Sequence, residues 1–235
     1  LLNDVMEPRE TFIKRYFKKL PLTVIVLLIV FIATLFVFTM IAHEVLGEKE
    51  EGVDNAIFNY LSAHIISGDR TRFMTGVTYF ASAIFLQIAY GALLLLYLLL
   101  RKWKLAIEIA AIGIGGFVVN YFMKLFFHRI RPPHPLIAPL KSFSFPSGHA
   151  TSGFIFYGLV TYLIWKTKIP KPYKYITGFV LIAFSILIGF SRVYLRLHYP
   201  SDVAAGFCIG FSWLILCIWL FGLLDKEPGN KLKLQ

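Results

Sequence analysis

The stretch LTVIVLLIVFIATLFVFTMIA, residues 22–42, decides the fold, because no charged side chain interrupts it. A helix of that length crosses a hydrocarbon core of ~30 Å. The run is also longer than the ~7–15 apolar residues at the centre of a cleavable signal, so it reads as a retained anchor. Further apolar runs follow at residues 78–100, 105–123, 151–165, 175–190 and 203–223. Composition agrees: 57% of the 235 residues are hydrophobic and only 16% are charged, well under the quarter or so usual in soluble domains. The expected architecture is all-α, one polytopic domain over residues 1–235 with six transmembrane helices.

Working outward, the cations set the topology. The net charge of +11 would suggest nucleic acid in a soluble chain. Here the lysines and arginines gather at the ends of apolar segments, where they mark the cytoplasmic side. Arg101, Lys102 and Lys104 form one such turn; Lys166, Lys168, Lys171 and Lys174 form another. Both termini then lie inside, with residues 1–19 as a cytoplasmic segment whose mixed aromatic and cationic end, residues 11–19, is either an interfacial helix or a plain flank. Three polar breaks face outward. The first, residues 43–77, is an acidic outer loop in which Val53, Ile57, Phe58, Leu61 and Ile65 recur at helical spacing. An amphipathic helix is expected there, lying on the interface or packed on the outer ends of the spans.

Other features have ordinary readings. Gly113-Ile-Gly-Gly116 follows no strand and is expected to permit close helix packing rather than to hold a nucleotide. Glu108, near the inner end of its span, is placed to pair with Lys104 one turn away. Cys208 and Cys217, nine positions apart on one helix, fall on opposite faces and cannot pair with each other.

The remaining outer breaks, residues 124–150 and 191–202, are expected to be catalytic loops. Their basic residues oppose the inside rule, which points to a ligand. Lys124 and Arg131-Pro132 stand in the first, as does Pro146-Ser-Gly-His149 before an apolar helix. Ser191-Arg192, His198 and Asp202 stand in the second. Ions near lipid need anionic partners, and the guanidinium forks of Arg131 and Arg192 suit the paired oxygens of phosphate, with Lys124 adding a point charge. A helix start after Gly148 favours a phosphate oxygen. His198 and Asp202 are spaced so that the carboxylate holds one ring nitrogen and leaves the other as a nucleophile. His149 is placed to supply the proton a leaving oxygen needs. Arg129, Lys141 and Arg196 are extra cations, read as solvated loop charges or as holders of a second phosphate.

This constellation resembles the type 2 phosphatidic acid phosphatase family, whose signatures K-x6-R-P, P-S-G-H and S-R-x5-H-x3-D stand here complete and in order. The resemblance implies six membrane helices with the active site on the outer-leaflet side. It implies that Lys124, Arg131 and Arg192 bind phosphate with Ser147 and Gly148, that His198 forms a phosphohistidine oriented by Asp202, and that His149 is the acid and then the base. No metal and no cofactor is required; a metal site of His128, His149, His198 and Asp202 is disfavoured by the cations around it. The expected substrate is a lipid phosphate such as undecaprenyl pyrophosphate, phosphatidylglycerol phosphate, phosphatidic acid or the phosphates of lipid A. The compact form resembles bacterial members, which implies an inner membrane with the site toward the periplasm or exterior. A lipid phosphotransferase and a non-catalytic carrier of anionic lipid are the alternatives.

Overall fold

The computed structural model describes residues 22–47 and 52–224. Among them are eight helices and no strand: α1 (Leu22–Gly47), α2 (Gly52–His64), α3 (Gly68–Tyr79), α4 (Ala83–Leu99), α5 (Trp103–Phe127), α6 (Gly148–Trp165), α7 (Lys171–Tyr194) and α8 (Pro200–Leu224). The N-terminal segment 1–19 and the tail after residue 224 lie outside the described residues. Five segments are long and apolar enough to cross a membrane: Val24–Gly47, Gly68–Leu99, Trp103–Phe127, Lys171–Tyr194 and Pro200–Leu224. The chain is a multi-pass membrane protein.

The organising element is α6, which packs against α4, α5, α7 and α8. Its Ile155, Leu159 and Leu163 interlock with Ile109 and Ile112 of α5 and Leu214 of α8. By contrast α1 and α4 turn most of their apolar side chains outward, as lipid-facing helices must. The small residues of α5 serve packing: a Cβ on Gly115 would fall 2.2 Å from the Trp213 ring of α8, and Trp213 Nε1 donates to the Ile112 carbonyl at 2.9 Å. Likewise a Cβ on Gly206 would lie 2.8 Å from the carbonyl oxygen of Ser147. That glycine lets α8 press directly on the turn that starts α6.

Several boundaries move relative to the sequence reading. Residues 43–77 are largely helical rather than a loop, because α1 continues to Gly47 and α2 and α3 follow. Tertiary bonds hold α3 despite its polar composition: the Tyr194 hydroxyl accepts from the amide of Ser67 at 3.1 Å, and Arg192 Nη1 donates to Thr78 Oγ1 at 2.7 Å. Helix α2 buries Phe58 and Leu61 against Ala150, Val193, Tyr199 and Val203, so it packs on the helix ends. Lys124 and Arg192 sit in the last helical turns of α5 and α7, and Asp202 in the first turn of α8; each was expected in a loop. Glu108 is almost fully buried and receives Lys166 Nζ at 3.2 Å, a tie between α5 and the end of α6. Both cysteines are free.

Candidate active site

Four helix ends build the site: the last turns of α5 and α7 and the first turns of α6 and α8. The segment between α5 and α6 is drawn into the gap by its aromatic anchor. Phe145 is fully buried, with its ring 4.6 Å from that of Phe127 and 5.9 Å from that of Phe38. Above it Lys124 Nζ donates to the carbonyls of Phe143, Ser144 and Pro146 at 2.8, 3.2 and 2.7 Å. Lys124 therefore fixes the shape of the loop that leads into α6.

At the turn, Ser147 is the N-cap of α6. Its Oγ accepts from the amide of Ala150 at 3.4 Å, and its own amide donates to the Asp202 carbonyl at 2.9 Å. The hydroxyl caps the helix as an acceptor, and its own O–H remains available as a donor. The amides of Gly148 and His149 are the ones a helix start leaves without an intrahelical partner. Gly148 has an ordinary φ, and a Cβ there would make a tight contact of 3.2 Å with Asn120 Oδ1 and an ordinary one of 3.8 Å with Lys124 Cε. Asn120 Nδ2 in turn donates to Thr151 Oγ1 at 3.2 Å, which ties α5 to α6 beside the turn.

His198 and Asp202 are 1% and 0% exposed. The turn from Leu195 to Tyr199 folds back on α7, with the amides of Leu197 and His198 both donating to the Arg192 carbonyl. This brings His198 Nδ1 to 3.4 Å from Asp202 Oδ2 and 3.3 Å from Ser144 Oγ. Ser144 Oγ also donates to Oδ2 through a short bond, and the Tyr199 amide donates to the same oxygen at 2.9 Å. On the other side of the ring, Arg131 Nη1 lies 3.0 Å from Nε2. A guanidinium has no acceptor, so Nε2 must be the bare nitrogen and Nδ1 must carry the proton. Burial lowers the His198 pKa to about 3, against the opposing pull of Asp202, and the ring is neutral. The ring presents an unprotonated Nε2 lone pair to the cationic side of the site.

Arg131 donates Nε to the Ser142 carbonyl at 2.7 Å, Nη2 to Ser142 Oγ at 3.0 Å and Nη1 to the Leu197 carbonyl at 2.5 Å. Burial lowers its pKa, partly offset by Asp202. Arg192 is different. It is 3% exposed, only Nη1 is bonded, to Thr78, and Nε and Nη2 have no hydrogen-bond partner among the described residues. His149 lies within electrostatic reach of Arg192, His198, Arg131 and Lys124. The eight residues singled out from sequence thus converge on one end of the bundle.

The extra cations divide. Lys141 is exposed. Arg196 lies over the Phe58 ring at 5.5 Å and donates Nη2 to Ser62 Oγ at 2.5 Å. Arg129 is neither a solvated charge nor a spare phosphate ligand: it bridges Asp202 Oδ1 at 2.7 Å and Asp54 Oδ2 at 3.0 Å. Those two carboxylates hold its pKa above the ordinary value although burial acts the other way. Ser144, Thr78, Arg129 and Asp54 were not assigned from sequence. Only Ser144 and Arg129 stand near a motif, and no spacing along the chain links Asp54 or Thr78 to the site. His128 ends α5 in a left-handed conformation with its ring against Phe143, which is a packing role.

The PAP2 superfamily model matches residues 103–225. Phosphatidylglycerophosphatase B of Bacillus subtilis (strain 168) is 31% identical over 151 residues, covering 61% of this chain and 71% of that protein. Undecaprenyl-diphosphatase of Sulfolobus acidocaldarius is 30% identical over 171 residues, covering 69% of this chain and 78% of that protein. Among solved structures, a transmembrane PAP2 type phosphatidylglycerolphosphate phosphatase from Bacillus subtilis superposes with a TM-score of 0.74 at 24% identity, covering 84% of this chain and 98% of that one. The last likeness is one of fold.

Proposed function

The chain belongs to the PAP2 superfamily, and from that premise we propose that it is an integral-membrane phosphatase that hydrolyses a phosphomonoester or pyrophosphate of a lipid through a phosphohistidine. The observation that carries the reading is Arg192, a buried guanidinium with two donor nitrogens left unbonded at the end of the bundle that also holds His198, whose unprotonated Nε2 faces Arg131. A buried charge is costly unless it is paired, and a phosphoryl group supplies the missing partner. Substrates of the relatives are phosphatidylglycerophosphate and undecaprenyl diphosphate by their names; those, phosphatidic acid and the phosphates of lipid A are the class to test.

The geometry supports the following reaction. A bound phosphoryl group takes the free donors of Arg192 and the first amides of α6, and draws Arg131 Nη1 from Nε2 onto its own oxygens. Lys124 adds charge while its bonds hold the loop carbonyls in place. The bound phosphoryl anion favours the imidazolium of His149, which takes its second proton from solvent; Nε2 then attacks phosphorus, the bond to the lipid-side oxygen breaks, and the His149 imidazolium gives that oxygen its proton. Asp202 stabilises the positive ring through Nδ1–H. In the second half His149 takes a proton from water, the hydroxide oxygen attacks phosphorus, and the P–N bond breaks to restore the His198 lone pair. The cations neutralise the charge on the transferring group throughout.

In the membrane we place α6 as a sixth crossing enclosed by the others. The turns at Arg101 and Lys166 lie on the cytoplasmic side with both termini, and the site faces the outer leaflet. In a bacterium this is the inner membrane, with the site open to the periplasm or exterior. The test is phosphate release from the four lipid classes by detergent-purified protein in the presence of chelator, with His198→Ala alongside. Release by the parent and none by the variant supports the reading. Equal release by both removes His198 as nucleophile, and no release by either, with head-group binding intact, favours the carrier.

A further inference from the structure

The carboxylate of Asp202 has two oxygens with separate tasks. Oδ2 faces His198 Nδ1, Ser144 Oγ and the Tyr199 amide. Oδ1 is taken by Arg129 Nη1 at 2.7 Å. Arg129 is itself held from the far side, since its Nη2 donates to Asp54 Oδ2 at 3.0 Å, its Nη1 also reaches Ser201 Oγ at 2.8 Å, and its guanidinium stacks 4.0 Å over the Tyr199 ring. Asp54 completes the frame. Its Oδ1 accepts from the amide of Ser201 at 3.0 Å and its Oδ2 from the Ser201 hydroxyl at 2.6 Å, so a side chain of α2 closes the first turn of α8 immediately before Asp202.

We infer that Arg129, clamped by Asp54, is a positioning residue for the reaction: it fixes the rotation of the Asp202 carboxylate and thereby, once a bound phosphate has drawn Arg131 Nη1 from Nε2, the Nδ1-protonated tautomer of His198. The physical reason is that a carboxylate turns easily about its Cβ–Cγ bond unless both oxygens are engaged. With Oδ1 held, Oδ2 stays on the ring nitrogen and Nε2 stays bare. Without Arg129, a fully buried Oδ1 is left bare in its turn, and the carboxylate rotates toward other donors or takes up a proton. Either change removes the acceptor that keeps the proton on Nδ1. Asp54 lies outside residues 103–225, the part of the chain that matches the superfamily model, so the inference makes α2 part of the machinery rather than a cover on the helix ends.

A cavity of about 670 Å³ borders this frame, with Asp54, Arg129, Tyr199 and Ser201 in its wall. None of Lys124, Arg131, His149 or Arg192 lines it. A small cation entering there reaches the place of the Arg129 head group without crossing the phosphate site, which makes chemical rescue a feasible test.

The inference rests on the phosphatase reading for its consequence in turnover, but the tautomer is measurable without turnover. The experiment uses the full chain with Arg129→Ala, Arg129→Lys and Asp54→Asn, each followed by ¹⁵N spectra of the histidine rings at saturating inorganic phosphate, which draws Arg131 from Nε2, with His198 assigned by its loss in His198→Gln. Phosphate release from dioctanoyl phosphatidic acid micelles is followed in parallel. The expected result is a pure Nδ1–H signal in the parent, a mixed-tautomer signal in Arg129→Ala, and restoration by millimolar guanidinium chloride. In turnover, kcat falls by about tenfold to a hundredfold, as for outer-sphere partners of active-site groups, KM is unchanged, and guanidinium restores rate. Arg129→Lys keeps the Nδ1–H signal with partial rate, and Asp54→Asn lies between. A parent-like His198 spectrum in Arg129→Ala overturns the inference whatever the rate does. A mixed signal that guanidinium leaves unchanged also overturns it, because the effect is then a packing defect. No release by the parent, with the spectra as expected, removes the phosphatase reading and leaves the positioning role standing.

Discussion

Replacing Arg192 tests the phosphate site from two directions at once. In the ligand-free protein its guanidinium is 3% exposed with Nε and Nη2 unbonded. The effective penalty for such a buried ion is several kcal/mol. Its place in the last turn of α7 returns only about 0.3–1 kcal/mol through the helix dipole. Desolvation therefore wins, and Arg192→Met, which keeps the volume, is expected to raise the thermal midpoint of the empty protein. With phosphate bound the sign reverses. Two charge-assisted bonds at about 1.5–3 kcal/mol each amount to about 3–6 kcal/mol, or roughly a hundredfold to ten-thousandfold in kcat/KM at ~1.4 kcal/mol per decade. Arg192→Lys keeps the charge and loses the fork, so its rate falls between. The assay pairs phosphate release with thermal unfolding at increasing inorganic phosphate. At phosphate about 100-fold over its Kd, the parent gains about 2.7 kcal/mol and Arg192→Met at most about 0.4 kcal/mol. Parental kcat/KM in Arg192→Met, or a lowered midpoint together with an intact phosphate-induced shift, would refute the reasoning.

Three further outcomes are expected. Ser144→Ala removes a hydroxyl that donates to Asp202 Oδ2, and the loss of a bond to a charged group lowers stability by about 1.5–3 kcal/mol, read by denaturant unfolding, with kcat falling more than KM changes. Gly206→Ala drives a Cβ to 2.8 Å from the Ser147 carbonyl; overpacking of about 1–3 kcal/mol shifts α8 from α6, so thermal midpoint and kcat fall together. For pH, the His198 pKa is about 3 in the folded protein and ~6.5 in the unfolded chain. Between those values the unfolded state binds the extra proton, so stability rises with pH through the window and falls as the solution is acidified below ~6.5, by up to ~1.4 kcal/mol per pH unit. His198→Gln should flatten that slope by one proton in unfolding measured from pH 6 to 4; an unchanged slope would mean that the ring is already charged in the folded state.

The motif residues were legible because their chemistry is unusual for their surroundings: Lys124 and Arg192 are cations in the last turns of apolar helices, and Arg131 follows the end of α5 closely. Their exact settings were not. Lys124 reads as a phosphate ligand, yet its ammonium is bonded to three loop carbonyls, a use that depends on a chain reversal nineteen to twenty-two residues downstream. Arg129 reads as a loop charge because its partners, Asp54 and Asp202, are 75 and 73 residues away. Hydrophobic spacing found α2 through Phe58 and Leu61, but a polar residue on the same face, Asp54, carries its tie to the site. Helix α3 was missed for a related reason: its composition is polar, and the bonds from Tyr194 and Arg192 that hold it come from α7.

The helix that carries the Pro146-to-His149 turn, α6, is not among the five segments apolar enough to cross a membrane, and both facts have one cause. Hydropathy measures what faces lipid. On α1 and α4 the apolar side chains are turned out, with Phe36, Ile84 and Ile88 all more than 60% exposed, and nothing polar is tolerated there without a partner. On α6 protein takes the place of lipid, so polar groups are bonded to it: Tyr157 Oη donates to the Phe80 carbonyl at 2.9 Å and Thr151 Oγ1 accepts from Asn120 Nδ2 of α5 at 3.2 Å. Freed from the lipid constraint, α6 can use Gly153 and Gly158 where a neighbour's side chain occupies the space of a Cβ, and it meets Gly206 and Gly210 of α8. That close approach lets the Ser147 amide reach the Asp202 carbonyl. The separation of His149 on one helix and Asp202 on the other is thereby set by the packing of α6 on α8.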